Sequence, residues 1–237
     1  MTRRRWIADE VSADRAALTG AHAAHLSRTL RARVGQAFEV VCDGLVRHAT
    51  VASVSDDRVE FALGEEIAAN AAIPITLLLA VFKFDRMEWA IEKCTELNVT
   101  SIVPVIARRT EKHLALAADK RVERWRRLAR EASEQARRTA PPEIADPVKL
   151  SAALEAKADL RIVLAESERE AQLSEILRAR PESQSLALAI GPEGGWTADE
   201  RQLFDKTGWI AASLGDTILR AETAAIAALA VARAELS

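Results

Sequence analysis

Residues 185–223 read SLALAIGPEGGWTADERQLFDKTGWIAASLGDTILRAET, and the rest of the chain is interpreted around this stretch. The apolar run Ser185–Ile190 predicts a buried strand that ends at a glycine. Gly191–Gly195 then holds three glycines in five residues, so its backbone can adopt positive φ angles and approach another group closely. Thr197 with Glu200 three residues later is a capping box, which predicts that a helix begins there. Strand, loop and helix start together predict a ligand site at the carboxyl edge of a sheet.

A second edge of the same kind follows at once. Trp209–Leu214 is another apolar run, and Gly215 ends it. The short linker Asp216–Leu219 leads into Arg220–Leu236, an alanine-rich segment that predicts a helix buried on more than one side. Because the carboxyl ends of parallel strands lie at one edge of a sheet, we expect both loops to line a single pocket.

The glycine loop by itself does not identify a ligand. It contains neither G-x-x-x-x-G-K-[ST] nor G-x-G-x-x-G, the two common phosphate-binding patterns. A glycine-rich connection between a strand and a helix is also a frequent tight turn. The spacing alone therefore leaves three interpretations open: a ligand loop, a nucleotide phosphate site without the usual lysine, and a simple turn.

The two C-terminal motifs carry a more specific resemblance. GPEGGWT at 191–197 and LGDTILRAETA at 214–224 resemble the paired motifs of the SPOUT methyltransferases, most closely those of the ribosomal RNA small subunit methyltransferase E family, the uridine-N3 enzymes. The resemblance implies an α/β C-terminal domain with a mostly parallel sheet and a trefoil knot that holds S-adenosyl-L-methionine in a bent shape. Knotted chains are rare, so spacing alone does not predict one.

The same resemblance implies roles for single residues. Arg220 is expected to stabilise charge on the base or to steer a nucleotide phosphate, and Glu222 to orient Arg220 or the loop. Thr223 is expected to cap the final helix. A simpler alternative is that Arg220 and Glu222 pair with each other and brace the loop. The residues expected to contact the cofactor are Ile190, Gly191, Pro192, Glu193, Gly194, Gly195, Leu214, Gly215, Ile218, Leu219, Thr223 and Ala224.

Composition and charge are those of a globular protein with two basic blocks. The 237 residues are 49% hydrophobic and 29% charged, with a net charge of −2. Residues 1–35 hold seven Lys and Arg against three Asp and Glu, and residues 108–138 hold eleven against five. Basic blocks on an otherwise acidic chain predict a polyanion-binding surface, but arginine-rich helices are equally often solvated faces.

Metal, disulfide and membrane features are not expected. Cys42 and Cys94, the only cysteines, lie far apart in the sequence and have no metal-site spacing. His22 and His25 have no accompanying ligands, which favours a surface pair. No apolar region follows the basic start, and the longest apolar stretch, Leu77–Phe82, is too short to span a bilayer. We therefore expect a cytoplasmic protein.

The first part of the chain contains short β-rich segments. Phe38–Cys42 and Val46–Val54 flank an Asp-Gly pair, a hairpin signal, and His22–Leu30 predicts a short helix. Strands at this spacing predict a small barrel. HLSRTLRARVGQAFEVVCDG at 25–44 resembles the PUA-like RNA-binding barrel at the N-terminus of the same family.

The second part begins with a βαβ unit. Ile75–Val81 and Ser101–Ile106 are strands, with a helix between them. KFDRMEWAIEKCTELNV at 83–99 resembles the family segment, except that Phe84 and Asn98 replace its usual glycines. Arg108 likewise replaces an acid of the family, and Ala118–Arg138 predicts one long arginine-rich helix.

These observations predict two domains, a PUA-like barrel at residues 1–72 and a SPOUT methyltransferase domain at residues 73–237. EASEQARRTAPPEI at 131–144 matches the family's glutamine–arginine–proline signature. Arginines of both domains are expected to contact RNA phosphates, and Arg31 stands at a family arginine position. The predicted RNA-binding residues are Arg28, Arg31, Arg109, Arg127, Arg130 and Arg138.

The resemblance predicts an enzyme that methylates N3 of a uridine in 16S rRNA of the small ribosomal subunit, with S-adenosyl-L-methionine as donor. The reaction is an in-line displacement that needs no metal, and positioning can lower its barrier by about 7–11 kcal/mol. A homodimer formed through the C-terminal domain is expected. Alternatives are a non-catalytic RNA-binding or ribosome-assembly protein on the same fold, and a SPOUT enzyme that acts on another RNA.

Overall fold

The computed structural model describes residues 5–67, 73–168, 170–180 and 183–236. The chain divides between residues 71 and 72 into two compact units, and Ser133–Pro141 belongs with the first unit. The predicted domain boundary after residue 72 lies outside the described residues. Each unit has a hydrophobic core of its own.

The first unit is built on a mostly antiparallel sheet with the strand order β1-β4-β5-β6-β3-β2, in which β1 pairs with β4 in parallel. A helical segment connects β3 to β4; its second half is a π-helix, where a plain α-helix was predicted. The described elements are β1 (Trp6–Ile7), β2 (Glu10–Val11), β3 (Arg15–Thr19), α1 (Gly20–Ala24), the π-helix His25–Thr29, β4 (Ala37–Cys42), β5 (Leu45–Val54) and β6 (Arg58–Ile67).

The predicted hairpin between β4 and β5 is confirmed. Asp43 and Gly44 have φ angles of 50° and 81°, as a type I′ turn requires, and Cys42 pairs with Leu45. Trp6 and Phe61, both fully buried, lie in the core between this sheet and the helical segment. The PUA-like character of the unit stays a prediction.

Ion pairs attach the segment Ser133–Pro141 to the rest of the first unit. Nη2 of Arg137 donates to both carboxylate oxygens of Glu39 at 2.7 Å, and Nε and Nη2 of Arg5 donate to the same carboxylate at 3.1 and 2.9 Å. These bonds, that from Arg137 above all, lower the pKa of Glu39 below its ordinary value. A division by sequence position alone assigns this segment to the second domain.

The second unit contains a parallel sheet with the order β10-β8-β7-β12-β11-β13, and β9 pairs with β8. This confirms the predicted α/β class with a mostly parallel sheet. The described elements are β7 (Ile75–Ala80), α2 (Phe84–Glu96), β8 (Ser101–Ile106), α3 (Lys112–Ala117), a 3₁₀ turn Asp119–Arg121, α4 (Val122–Gln135), β9 (Glu143–Ile144), β10 (Val148–Lys149), α5 (Leu150–Ala153), β11 (Leu160–Leu164), α6 (Leu173–Arg178), β12 (Leu186–Ile190), α7 (Ala198–Lys206), β13 (Ile210–Ala212) and α8 (Ala221–Glu235).

Strand β7 shows why its sequence is apolar throughout. Ile75, Leu77 and Leu79 pack into one cluster with residues of α2 and α8, whereas Leu78 and Ala80 pack into a second cluster on the opposite face. Side chains of a strand alternate between faces, so a strand covered on both sides has no solvent-facing position.

Two family departures in this unit have simple structural consequences. Asn98 has a φ of 62° just after α2, the left-handed conformation predicted for it. The Phe84 ring lies 6.1 Å from the Trp125 ring, and the Arg121 guanidinium lies 4.7 Å above it. Phe84 therefore packs against the start of α4 and its preceding turn, where glycine offers no such contact.

Two predicted helix features are wrong. The long helix predicted at Ala118–Arg138 is divided, since Asp119–Arg121 forms a 3₁₀ turn before α4. Thr223 does not cap α8, because Arg220 is the N-cap residue and no side chain caps the helix. Thr223 is instead an exposed residue inside the first turn.

Candidate functional site

A cavity of about 1060 Å³ opens at the carboxyl ends of β11, β12 and β13. This is the edge of a parallel sheet at which α/β proteins bind ligands. The volume stands at the upper end of the roughly 300–1,000 Å³ typical of small-molecule pockets. The cavity therefore has room for a cofactor together with part of a second group.

The glycine loop after β12 is fixed by a tight turn and by close packing. The Gly195 amide donates to the Pro192 carbonyl at 2.8 Å, and Gly195 has a φ of 67°. A Cβ atom on Gly191 would lie 3.2 Å from Nε1 of Trp196, and one on Gly194 would lie 3.1 Å from Cδ of Arg109. Glycine is thus required at these positions by conformation or by space.

The buried carboxylate of Glu200 joins this loop to the neighbouring β8 connection. One carboxylate oxygen accepts the Thr197 amide at 2.8 Å and the Thr197 hydroxyl at 2.9 Å, which confirms the predicted capping box. The other oxygen accepts the Arg108 amide at 2.7 Å. The main chain after β8 is therefore held against the start of α7.

An aromatic stack supports the same loop from the side of the core. The Trp196 and Phe204 rings lie 4.9 Å apart, and Phe204 and Trp209 lie 5.3 Å apart, both in edge-to-face geometry. All three side chains are buried. They connect the end of the glycine loop, α7 and the residue before β13, so both cavity loops share one rigid support.

The second loop, after β13, is more exposed. Gly215 has a φ of 119°, and its amide and carbonyl both bond to the hydroxyl of Ser213. Ile218 is 80% exposed although it is apolar, whereas Leu219 is half-buried. This loop supplies main-chain groups and apolar side chains to the cavity.

Arg220 and Glu222 have different surroundings. Arg220 lines the cavity, is exposed, and its guanidinium makes no hydrogen bond or ion pair with any other described residue. Glu222 is 5% exposed and does not belong to the described cavity lining. Its ion-pair partner is Arg86, with Nε 3.8 Å from Oε1 of Glu222. The alternative in which Arg220 and Glu222 brace each other is therefore not what the structure shows.

The residues expected to contact the cofactor lie together, with one exception. Thr223 is not among the described residues that line the cavity. The residues that do line it are Ile190, Gly191, Pro192, Glu193, Gly194, Gly195, Leu214, Gly215, Ile218, Leu219 and Ala224.

The cavity also contains residues that sequence reasoning left out of the site. Glu166–Glu168 lines it directly after β11, and their position at a strand's carboxyl end was a usable signal. Arg86 on α2 and Arg201 on α7 also line it, and Nη1 of Arg201 donates to the Ser167 hydroxyl at 2.7 Å. No local pattern distinguishes these two arginines from other helix surface residues.

The arginines predicted to bind RNA in the first unit differ from each other. Arg28 forms an exposed ion pair with Asp56 at 2.9 Å. Arg31 is exposed, has a φ of 52°, and makes no side-chain bond to another described residue. Arg138 is half-buried and has a partner within the protein. Arg31 is therefore the most accessible cation among these three.

In the second unit the basic helix is largely neutralised. Arg124 donates two bonds to Glu88, and Arg126 pairs with both Glu123 and Asp146. Arg127 is exposed without a partner in the described part of the chain, whereas Arg130 is half-buried and partnered.

Arg109 is engaged at the cavity rather than on an open surface. Its Nη1 donates to the Gly194 carbonyl, and its aliphatic stem lies against the glycine loop. Arg109 therefore supports that loop, whether or not it also reaches RNA.

Features of other site classes are not found in the described residues. No group of three His, Cys, Asp or Glu side chains is arranged there to hold a metal ion. Cys94 is buried, and burial raises its pKa to about 12, so it remains a thiol. None of the helices in those residues has the length and apolar character needed to cross a membrane.

Comparison with known sequences gives a consistent result. A family model for an RNA methyltransferase domain matches residues 69–233. The ribosomal RNA small subunit methyltransferase E of Bacillus subtilis is 32% identical over 224 residues, which cover 90% of this chain and 87% of that protein. The protein of the same name from Synechocystis is 32% identical over 217 residues, covering 90% of this chain and 71% of the relative.

Solved structures agree with the sequence comparison. The ribosomal RNA small subunit methyltransferase E of Neisseria gonorrhoeae, crystallised with S-adenosyl methionine, matches with a TM-score of 0.85 at 29% identity, covering 96% of this chain and 95% of that one. A Legionella pneumophila protein solved with bound S-adenosyl methionine also has a TM-score of 0.85 at 29% identity, with 99% and 98% covered. The chain therefore belongs to the ribosomal RNA small subunit methyltransferase E family of RNA methyltransferases.

Proposed function

We propose that this protein transfers the methyl group of S-adenosyl-L-methionine to N3 of a uridine in 16S rRNA of the small ribosomal subunit. The observation that carries the proposal is the single cavity lined by both C-terminal loops, in a chain that belongs to this enzyme family. Because the substrate is ribosomal RNA, the proposed activity lies in the cytoplasm.

The residues of the cavity fit the cofactor. Main-chain groups of the glycine loop and of Gly215 can bond the polar edges of an adenosine, and apolar side chains such as Ile190, Leu214 and Leu219 can cover its rings. The glycine loop has close neighbours that a Cβ would meet, so its backbone is held near the cavity wall. The cofactor supplies an electrophilic methyl group on a sulfonium.

Arg220 is the residue that the geometry best supports for the chemistry. The reaction forms a bond from N3 to the methyl carbon, breaks the bond from that carbon to sulfur, and releases the N3 proton. Negative charge develops on the ring oxygens as the proton leaves, and a guanidinium directed there stabilises it. Arg220 is at the cavity with no internal partner, so it is available for this role or for a nucleotide phosphate. Glu222 acts on the loop rather than on Arg220, through its ion pair with Arg86.

The acceptor base must leave its stack before N3 can react. We propose that the first unit is a PUA-like RNA-binding domain, and the second a knotted SPOUT domain, with boundaries near residues 1–72 and 73–237. The exposed, unpaired Arg31 supports RNA binding by the first unit, and Arg127 supports it in the second. Positive backbone φ at a non-glycine residue such as Arg31 is often found at functional sites.

We further propose a homodimer through the second unit. Trp89 on α2 is 47% exposed and Ile218 in the second loop is 80% exposed, and α8 carries further partly exposed apolar side chains such as Ile226. Large exposed apolar side chains are typical of association surfaces. Light scattering should give twice the chain mass, and Trp89→Glu should shift the protein towards the monomer.

The test of the function is a methylation assay. Small ribosomal subunits from cells that lack this protein should gain N3-methyluridine in their 16S rRNA when incubated with the purified protein and S-adenosyl-L-methionine. Calorimetry should show binding of the cofactor in the absence of RNA. Cofactor binding without methyl transfer would favour a non-catalytic assembly protein, and methylation of a different RNA would overturn the proposed substrate.

A further inference from the structure

Arg86 occupies a position that helix electrostatics disfavour. It is the third residue of α2, in the first turn, where the helix dipole presents its positive end. Two carboxylates compensate for this placement. Nη1 of Arg86 lies 3.2 Å from Oε1 of Glu193, and Nε lies 3.8 Å from Oε1 of Glu222. One guanidinium therefore joins α2, the glycine loop and the first turn of α8.

Glu222 depends on this contact. Its side chain is 7% exposed, and its second oxygen, Oε2, is buried without a hydrogen-bond donor among the described residues. A buried carboxylate is stable only when a cation or donors compensate its charge. Within the described part of the chain, Arg86 is the cation at ion-pair distance.

Arg220 is the residue that this arrangement protects. It precedes Glu222 by two residues, is exposed, and has no partner of its own in the described residues. If Arg86 were absent, the charge on Glu222 would be uncompensated, and Arg220 would be the nearest arginine in sequence able to neutralise it. A guanidinium drawn to Glu222 would no longer be directed at the cavity.

We infer that Arg86 is a positioning residue for methyl transfer: by compensating Glu222 and holding the glycine loop, it keeps Arg220 available to the RNA. The inference rests on the proposed function and deepens it. Arg86 does not contact the reacting atoms; it acts through Glu222 and Arg220. The glycine loop keeps its other supports, including the bond from Arg109 to Gly194, when Arg86 is replaced.

The test compares Arg86→Met with the double variant Arg86→Met/Glu222→Gln. We expect Arg86→Met to lower kcat for methylation of small subunits by about 10- to 100-fold, the size expected for a lost transition-state contact. The Kd for S-adenosyl-L-methionine should change little, because the lost interaction is made with the RNA. The second substitution should restore most of kcat, since a neutral amide does not attract Arg220. Arg86→Lys should retain an intermediate kcat.

Arg178→Met is the matched control, because Arg178 donates two bonds to Glu235 at the opposite end of α8. It should keep the wild-type kcat. Unchanged kcat in Arg86→Met, or a loss that the Glu222→Gln substitution does not relieve, would overturn the inference while leaving the proposed function intact. A wild-type protein that neither binds the cofactor nor methylates RNA would overturn both.

Discussion

Glu200 is the residue whose removal most directly tests how the site is built. Its carboxylate accepts the Thr197 amide at 2.8 Å, the Thr197 hydroxyl at 2.9 Å and the Arg108 amide at 2.7 Å. Glu200→Ala removes half of a capping box, which costs about 1 kcal/mol. It also leaves two amides without an acceptor, at about 1–3 kcal/mol for each. Because the sites are only partly buried and water can enter, we expect a total loss of about 3–5 kcal/mol.

The assay is urea unfolding followed by tryptophan fluorescence. Trp196 and Trp209 are buried beside Glu200's helix and report on this region. The control is Asp199→Ala in the same helical turn, which is exposed and should cost only about 0.3–1 kcal/mol through the helix dipole. Cofactor affinity should fall at least about tenfold in Glu200→Ala, because two segments at the cavity lose their link. A loss below about 1 kcal/mol, or one equal to that of Asp199→Ala, would refute this account of the loop.

Three further outcomes are expected. Arg220→Ala should lower kcat by about 10²–10³-fold with an unchanged cofactor Kd, and unchanged turnover would end its assignment to the chemistry. Gly195→Ala should weaken cofactor binding, measured by calorimetry, through backbone strain alone; the added Cβ has ordinary room, 3.8 Å from Glu166, but the φ of 67° costs about 1–2 kcal/mol. Glu39 has a lowered pKa in the folded state because of Arg137, so its stabilisation is present above the unfolded value, ordinarily 4.5, and is lost as pH falls through the lowered folded value. Acid unfolding of the wild type should therefore be steeper with pH than that of Glu39→Gln, and parallel curves would contradict the role of this ion pair.

Local sequence patterns predicted much of the second unit because each depends on near neighbours. The apolar run at Ile75–Ala80, the capping box at Thr197 and the Asp-Gly hairpin are set by side-chain periodicity, a three-residue spacing and a backbone conformation. The predicted helix at Ala118–Arg138 failed for the opposite reason. Its composition favours a continuous helix, but packing around Phe84 and Trp125 accommodates a 3₁₀ turn at its start.

The sequence by itself determined the parallel sheet, the glycine loop and the two adjacent edges that line the cavity, since these follow from periodicity and from glycine's freedom. Only the tertiary structure decided which charges meet. Glu222 is paired with Arg86, 136 positions earlier in the chain, rather than with Arg220 beside it, and Arg137 closes on Glu39 of the first unit. A buried acid is compensated by whichever cation the packing brings within reach, and that proximity is created by folding and has no local signature in the sequence.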